Sequence, residues 1–594
     1  MTMENKRLKS RHHDDPQDDD GMFQPKHAPW WVKDPFKSFI IFAVFFSGSV
    51  LFSMLNHRSI DIRIVGGFNP LKADQGENQP REVAAEPEEL DNGSSLAPDE
   101  ADEAEESIPS VEEPHVNDLG GLIAEGFDEK SCLSRYQSPW KNKGQQQHQP
   151  SPHLISKLRN YEALHRRCGP HTESFRKASE YINYSIHNNN SNHSSSSDCQ
   201  YIIWTPKNGL GNQMMSLVSV FLYALLTQKV LLVKPQPHIS DLFCEPFPGT
   251  SWLIPSSFPP INLTFGKDSP RTYDYYNLKW EKPGSVIPAY AYLYLAHDCN
   301  EEDARFFCDE DQTFIQKVPW LIIRSNQYFV PSLFLMPSFQ KELSELFPEK
   351  ETVFHFSGRY LFHPVNPVWS SITSYYKANL AGADEKIGIQ VRIFKTDPDL
   401  FDKILQQILA CVIKENDLLP QIIDETKKPG TDALHKSNRT KAVLITCLDA
   451  RYSNAIRKMY EEKTTQTGEI IRVFQPSNEM RQKCTDLVHS MKALTDIYLL
   501  SLTDKLVTSS ISTFGYVAQS LGGLKPWILH RPEEYNASNP GCQRAVSMEP
   551  CYLAPPTLDC KTRGTVDKGK IVGYVRHCED RAKGLKLIDK DDEP

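Results

Sequence analysis

The chain has 594 residues, which is too long for one ordinary domain, so two or three domains are expected. Its formal net charge of -10 excludes the basic footprint that is typical of a nucleic-acid-binding protein. Much of the negative charge is local, because residues 81–115 hold thirteen Asp and Glu against one Arg.

The N-terminal region predicts a membrane anchor. Phe39–Leu55 is a run of seventeen uncharged, mostly apolar residues, near the short end of what spans a bilayer. Seven Lys and Arg lie within the first 37 residues and favour a cytoplasmic N-terminus. The apolar run starts too late and is too long for a cleaved signal peptide. We therefore expect a cytoplasmic tail at 1–38, an anchor at 39–55 and the rest of the chain in a lumen.

A stem is expected to follow the anchor. Residues 56–130 are acidic and rich in Pro, Gly and Ser, a composition that cannot bury enough apolar area to fold. All thirteen cysteines lie beyond residue 130, and their odd number leaves at least one thiol unpaired in a monomer. In an oxidising lumen Cys299 and Cys308 can close a small loop, and the four cysteines after Gly541 can also form disulfides.

The first folded segment predicts a short helix over Ile155–Arg167. It is followed, over Gln200–Val233, by the first strand–turn–helix–strand unit of a Rossmann-like fold. This unit has the pattern strand, glycine turn, apolar helix, strand. In the turn Asn208–Asn212, Gly209 and Gly211 let the backbone approach a ligand, and the helix that follows directs free N–H groups to the same place. A tight structural turn explains the residues equally well. The third glycine of the dinucleotide fingerprint is missing.

Two acidic motifs have the D-x-D shape with which some sugar transferases hold a divalent cation. Asp309–Asp311 lies in a polar run, where a solvated face is the favoured interpretation, and Asp397–Asp399 is better explained as the entry to a helix. We therefore predict no metal site.

The segment with His355, Arg359 and His363 can line a cleft, although such histidines are more often structural.

The C-terminal half predicts a doubly wound parallel sheet. Its pattern alternates strands with amphipathic helices, and in such sheets ligands bind beyond the carboxyl ends of the strands. The predicted strands are Lys386–Phe394, Ala442–Cys447, Ile470–Phe474, Lys505–Thr508 and Pro526–Leu529; the predicted helices are Leu400–Asn416, Arg451–Glu462, Ala493–Leu502 and Phe514–Leu521.

Two features of this half suit a diphosphate. Arg392 ends the first strand, and a guanidinium stays charged and offers several donors to phosphate oxygens, although a structural ion pair explains it as well. Ser512 or Thr513 can cap the helix that follows the Lys505–Thr508 strand, so that its first-turn amides point outward. A plain helix cap accounts equally for that second feature.

Four passages together resemble the plant xyloglucan fucosyltransferase family, glycosyltransferase family 37. They are NGLGNQMMSLVSVFLYALLTQKVLLV, GRYLFHPVNPVW, IGIQVRIF and YLLSLTDKLVTSSISTFGYVAQSLGGLKPWIL, and they span most of residues 200–580. The resemblance implies an α/β, GT-B-like fold with two Rossmann-like domains facing a cleft. We place an acceptor-side domain at 131–380 and a GDP-fucose-binding domain with a Cys-rich tail at 381–594.

The resemblance also implies a Golgi type II membrane enzyme. It would transfer L-fucose from GDP-β-L-fucose, with inversion and in α-1,2 linkage, to a galactosyl residue of xyloglucan, arabinogalactan or another cell-wall glycan. Neither a cofactor nor a metal is implied, and a homodimer is possible.

The resemblance also implies roles for single residues. Arg392 would hold the phosphates, and the catalytic base would come from Asp298, Asp311, His355 and His363. Binding residues would be Asn208, Gly209, Gly211, Asn212, Arg359, Arg392, Ser512, Thr513, Phe514 and Gly515.

Two positions depart from the family pattern. Gln213 follows Asn212 where an arginine is usual, and Asn326 stands where several relatives have an acidic residue. These departures motivate a second hypothesis, a glycan-binding or scaffold protein without turnover. A nicotinamide-dependent oxidoreductase also fits the strand–helix alternation, but the glycine fingerprint is absent.

Overall fold

Two parallel sheets organise the chain in the computed structural model. The structure describes residues 119–137, 148–188, 198–234, 239–258, 287–393, 400–423, 438–479, 483, 486–535 and 540–589, all within the unit Glu112–Pro594. The predicted anchor at 39–55, the stem up to residue 118 and the Asp397–Asp399 motif lie outside the described residues.

The first sheet has four strands in the order β2-β1-β4-β3, and every pairing is parallel. Helices cover both faces of such a sheet, which explains why its strands are almost continuously apolar and buried. The direction in which successive strands are added to the sheet reverses between β1 and β4. The strands are β1 (Tyr201–Pro206), β2 (Val230–Val233), β3 (Tyr290–Leu295) and β4 (Trp320–Ser325).

The second sheet has the order β10-β9-β8-β5-β6-β7, with five parallel strands and an antiparallel β10 at one edge. Its parallel part has the doubly wound order, which reverses between β5 and β8. Every predicted strand and crossover helix of this half is confirmed, with shifts mainly at their ends. The strands are β5 (Glu385–Val391), β6 (Thr440–Cys447), β7 (Ile470–Phe474), β8 (Lys505–Ser509), β9 (Trp527–Leu529) and β10 (Cys542–Arg544); a hairpin of β11 (Val575–His577) and β12 (Leu585–Leu587) lies in the tail.

Fourteen α-helices occur among the described residues. They are α1 (Pro152–Cys168), α2 (Glu173–Asn188), α3 (Leu210–Thr227), α4 (Ile239–Leu242), α5 (Glu301–Ala304), α6 (Asp309–Ile315), α7 (Val330–Leu333), α8 (Pro337–Leu346), α9 (Val353–Leu361), α10 (Asn366–Asn379), α11 (Leu400–Leu409), α12 (Arg451–Glu462), α13 (Leu487–Ser501) and α14 (Thr513–Gly522). A π-helical turn, Ala410–Glu415, extends α11.

One apolar core joins the two halves. It runs from the strands of the first sheet through α3, α9, α13 and α14 to β8. Within the described part of the chain, α3 is the one helix long and apolar enough to cross a membrane, but 72% of it is buried inside the protein. Its all-round apolar surface is therefore that of a core helix, as predicted.

Disulfides fasten the tail to both halves. Cys560 pairs with Cys308 beside the first sheet, and Cys542 pairs with Cys411 at the end of α11. The predicted Cys299–Cys308 loop is therefore wrong, and Cys299 is a free thiol. The remaining bonds are Cys132–Cys244, Cys168–Cys199 and Cys551–Cys578.

The structure also shortens the predicted stem. Leu119 and Leu122 are 7% and 2% exposed and belong to the main core, although the composition placed them in a disordered segment up to residue 130. A few apolar side chains in an otherwise polar stretch are enough to dock it against a folded neighbour. The folded part begins by residue 119.

Candidate active site

The carboxyl edges of the two sheets meet at their reversal points. Strand β1 leads through a short turn into α3, and β8 leads through another into α14. A Cβ built on Gly211, at the start of α3, would lie 2.8 Å from Thr513 Oγ1 and 3.0 Å from the backbone nitrogen of Phe514. The first turns of α3 and α14 therefore touch. Open α/β sheets bind ligands at reversal points of this kind, and here two of them face one place.

The predicted glycine turn is present, but its glycines act differently from the prediction. The left-handed residue of the turn is Asn208, with φ 66°, whereas Gly209 is extended with φ -73° and stands at the N-cap of α3. Gly211 is required for the contact with α14. The side chain of Gln213 donates from Nε2 to the Asn208 carbonyl at 2.8 Å, so the residue that departs from the family pattern stabilises the turn.

Two predicted residues, Arg392 and Ser512, follow the adjacent strands β5 and β8 of the second sheet. Arg392 directly follows β5, and its backbone N–H donates to Ser509 Oγ at 2.9 Å, which ties it to the end of β8. Ser512 is the N-cap of α14, and its hydroxyl accepts from the Gly515 N–H at 3.4 Å. The first-turn amides of α14 and the backbone of Arg392 therefore lie at the same carboxyl edge of the sheet, and free N–H groups at a helix start suit a diphosphate.

Sequence reasoning missed a carboxylate in this edge. Asp580 lies in the tail, and its Oδ2 accepts from the Ile511 backbone N–H at 2.7 Å and from the Tyr516 hydroxyl at 2.6 Å. Ile511 has φ 56°, a left-handed conformation that is costly for a β-branched residue. Asp580 thus holds the strained loop that leads into α14. It lies 69 positions beyond Ile511, so no local pattern reveals it.

A polar cluster occupies the edge of the first sheet. Lys207 follows β1 and reaches across β4 to the Tyr294 hydroxyl and to Asp298, whose Oδ1 lies 3.3 Å from its Nζ. Tyr294 also donates to Asp298 at 2.8 Å. Partial burial opposes ionisation of Asp298, but the Tyr294 hydrogen bond and the Lys207 charge outweigh it and lower the pKa of this carboxyl. Asp298 is therefore a half-exposed, ionised carboxylate at the candidate site.

Asn326, the other departure from the family pattern, orders the next loop. Its Oδ1 accepts from the His297 backbone N–H at 3.1 Å, and its Nδ2 lies 3.0 Å from His297 Nδ1. These bonds join the residues that follow β3 and β4. Of the four predicted bases, Asp298 is the one that lies at this edge.

The structure removes His355 and Arg359 from the candidate site. His355 Nδ1 lies 2.7 Å from the Ser520 carbonyl, and Arg359 Nε donates to the Leu521 carbonyl at 3.0 Å. These carbonyls belong to the C-terminal end of α14, about 11 Å along the helix from Thr513. Burial lowers the pKa of His355 well below its usual value. Both side chains satisfy helix-end carbonyls, and neither faces the reversal points.

His363 and Asp311 also fail as candidate bases. His363 is 4% exposed, and burial lowers its pKa to about 3. Asp311 is fully buried, and both of its oxygens accept from Arg305, at 3.0 and 3.1 Å. Burial raises its pKa despite Arg305, which pulls it down. Neither group can reach a substrate.

The acidic motif around Asp311 is structural. Asp309 accepts from the backbone and the hydroxyl of Ser338 and so caps α8. Another group of possible metal ligands, His153 with Glu342 and Glu345, lies between α1 and α8, where Lys157 already pairs with Glu342 at 2.7 Å. None of these acids lies at the meeting point of the two sheets.

Comparison with known proteins identifies relatives of the chain. The family model described as xyloglucan fucosyltransferase matches residues 94–561. The galactoside 2-alpha-L-fucosyltransferase of Pisum sativum is 51% identical over 487 residues, which cover 82% of this chain and 84% of that protein. The Arabidopsis thaliana protein of the same name is 51% identical over 477 residues, covering 79% and 83%.

A solved structure gives the same result. The chain is similar to a mutant of the Arabidopsis thaliana fucosyltransferase FUT1 in complex with GDP, with a TM-score of 0.71 and 51% identity. The match covers 79% of this chain and 99% of that one.

Proposed function

The chain belongs to the xyloglucan fucosyltransferase family and is a glycosyltransferase, and on that premise we propose that it transfers L-fucose from GDP-β-L-fucose to the 2-hydroxyl of a galactosyl residue, with inversion. One observation carries the proposal: the start of α14, beside Arg392, contacts the start of α3, which follows the edge of the first sheet that bears Lys207 and Asp298. Relatives with galactoside 2-alpha-L-fucosyltransferase names and a neighbour that binds GDP support it.

In this reaction the acceptor oxygen bonds to C1 of fucose from the face opposite the nucleotide, while the bond from C1 to the β-phosphate oxygen breaks. The electron pair stays on GDP, which gains a negative charge. Arg392 and the first-turn amides of α14 stabilise that charge, the role a metal ion has in other transferases. A donor in this position is worth about 3 kcal/mol of barrier.

The acceptor hydroxyl must lose a proton as the new bond forms. Asp298 is the carboxylate that the described edge offers, and its lowered pKa keeps it ionised at neutral pH. Tyr294 and Lys207 fix its orientation. A weak base of this kind suits a reaction in which bond cleavage runs ahead of attack, because the proton then leaves late.

Substitution of Arg392 tests the proposal. Arg392→Ala removes the positioned cation, and we expect kcat for transfer from GDP-fucose to a galactoside to fall a hundredfold or more while the unfolding midpoint stays unchanged. Arg472→Ala is the matched control, because Arg472 is exposed on β7 of the same sheet. Near-normal turnover in Arg392→Ala contradicts the role, and loss of activity in a strong chelator contradicts metal independence.

The proposed location is the Golgi membrane, with the catalytic part in the lumen. Five disulfides among the described residues fit an oxidising compartment. The test is a protease-protection assay on sealed microsomes with tags at both ends. Digestion of a tag at the C-terminus without detergent contradicts the orientation.

A further inference from the structure

Arg324 is a cation of the first sheet that the proposed mechanism does not use. It lies near the end of β4, beside the reversal point, and its register partners are Tyr294 on β3 and Thr205 on β1. Side chains of register partners point to the same face of a sheet. Arg324 therefore lies beside Tyr294, whose hydroxyl contacts Lys207 and Asp298 at the carboxyl edge.

The guanidinium of Arg324 lacks a partner in the described part of the chain. Its Nε is buried and makes no hydrogen bond there, and no described carboxylate forms an ion pair with it. A buried donor left without an acceptor costs about 1–3 kcal/mol, and more when it is charged. Such a donor is retained where a ligand supplies the missing hydrogen-bond acceptor.

The charges around Arg324 favour an anionic ligand. Lys207 and Arg324 supply two positive charges at the edge, and Asp298 supplies one negative charge. Asp303 does not cancel the excess, because it accepts the Tyr294 N–H, which points away from β4 on the outer side of the edge strand β3. Among the described residues, one positive charge is therefore uncompensated on the face that would receive the acceptor.

We propose that the acceptor carries a carboxylate close to the galactosyl residue, as a uronic-acid unit does, and that Arg324 binds it. This inference rests on the proposed function and identifies the class of acceptor for the same site. A guanidinium binds a carboxylate through two parallel N–H···O bonds, which a neutral sugar hydroxyl cannot reproduce. Arg324 is then a specificity residue, and it makes no contact with the departing GDP.

The test compares two soluble acceptors that differ in one group: galactose linked to glucuronic acid and galactose linked to glucose. We expect kcat/KM to be about 10–100 times higher for the acidic acceptor, as one charge-assisted contact predicts, through KM rather than kcat. The preference should shrink in 0.5 M NaCl, since the pair is only partly buried.

Arg324→Gln, which keeps hydrogen-bond donors but removes the charge, should erase the preference and leave kcat/KM for the neutral acceptor and the Kd of GDP unchanged. Arg472→Gln on β7 is the matched control. Equal use of both acceptors by the unmodified enzyme overturns the inference. A raised Kd for GDP in Arg324→Gln also overturns it, because the cation then serves the donor.

Direct binding separates failure of this inference from failure of the proposed function. Calorimetry with the two disaccharides and the full chain requires no turnover. Tighter binding of the acidic disaccharide, lost in Arg324→Gln, supports the inference even where no transfer is seen. Transfer to the neutral acceptor without any acidic preference keeps the proposed function and rejects the role of Arg324.

Discussion

Gly515 offers the sharpest test of what fixes the position of the start of α14 at the candidate site. A Cβ at this position would lie 1.9 Å from Thr508 Oγ1 and 3.0 Å from Thr508 Cβ, so the helix start must move away from β8 in Gly515→Ala. Overpacking of this kind costs about 1–3 kcal/mol of unfolding free energy. Because Ser512 caps the same turn, the displacement should also weaken GDP binding.

A double-mutant cycle isolates the clash. Thr508→Ala removes the Oγ1 atom that the new methyl meets, and by itself it loses one hydrogen bond, from Thr508 Oγ1 to Gln390 Oε1 at 2.8 Å, worth about 1 kcal/mol. Gly515→Ala should therefore cost at least about 1 kcal/mol less in the Thr508→Ala background than alone. Chemical denaturation gives the free energies, and calorimetry gives the affinity for GDP.

The control is another glycine that has space around it. A Cβ on Gly382 meets nothing within 4 Å, so Gly382→Ala should change the unfolding free energy by less than about 0.5 kcal/mol and leave GDP binding intact. Additive effects of Gly515→Ala and Thr508→Ala would refute the reasoning. They would mean that the approach of α14 to β8 does not set the position of the helix start.

Two further predictions concern carboxylates that accept hydrogen bonds inside the fold. Asp580→Ala should lower the unfolding free energy by about 2–3 kcal/mol and raise the Kd of GDP, because the Ile511 N–H and the Tyr516 hydroxyl lose a charged acceptor; an unchanged Kd would show that the loop is held without Asp580. Burial raises the pKa of Asp496 to about 7, opposed by a hydrogen bond from Ser477. The folded protein thus binds the proton more tightly than the unfolded chain, so this group reduces stability as the pH rises from about 4 to 7. Asp496→Asn should remove that slope, by a few kcal/mol in total, in denaturation measured between pH 4 and 8, and an unaltered slope would contradict the assignment.

The order of elements in the second half is visible in the sequence because local signals suffice there. Strands β5 to β9 are short apolar runs, and the helices between them are amphipathic or buried, so the alternation alone predicts the doubly wound sheet. The place of Arg392 and Ser512 at one edge of that sheet could be predicted for the same reason. Each directly follows a strand, and the carboxyl ends of parallel strands share one edge.

Long-range contacts escape such local signals. The cysteine spacing suggests a loop from Cys299 to Cys308, yet the bond from Cys308 reaches Cys560, 252 residues away. The residue types of His355 and Arg359 suit a cleft, yet packing places them at the far end of α14. In each case tertiary packing determines the partner of the residue. The local sequence is compatible with both the predicted partner and the observed one.

Arg324 is hidden from sequence reasoning by its surroundings. It ends the apolar run of β4, where a single charge looks like the polar edge of a strand. Only the register with Tyr294, and through it the nearness of Lys207 and Asp298, shows that the cation lies at the candidate site, where the described side chains supply more positive than negative charge. The two halves of the site therefore differ in how they are encoded. Arg392 and Ser512 follow strand ends, whereas the proposed role of Arg324 depends on side chains that the sheet brings together across strands.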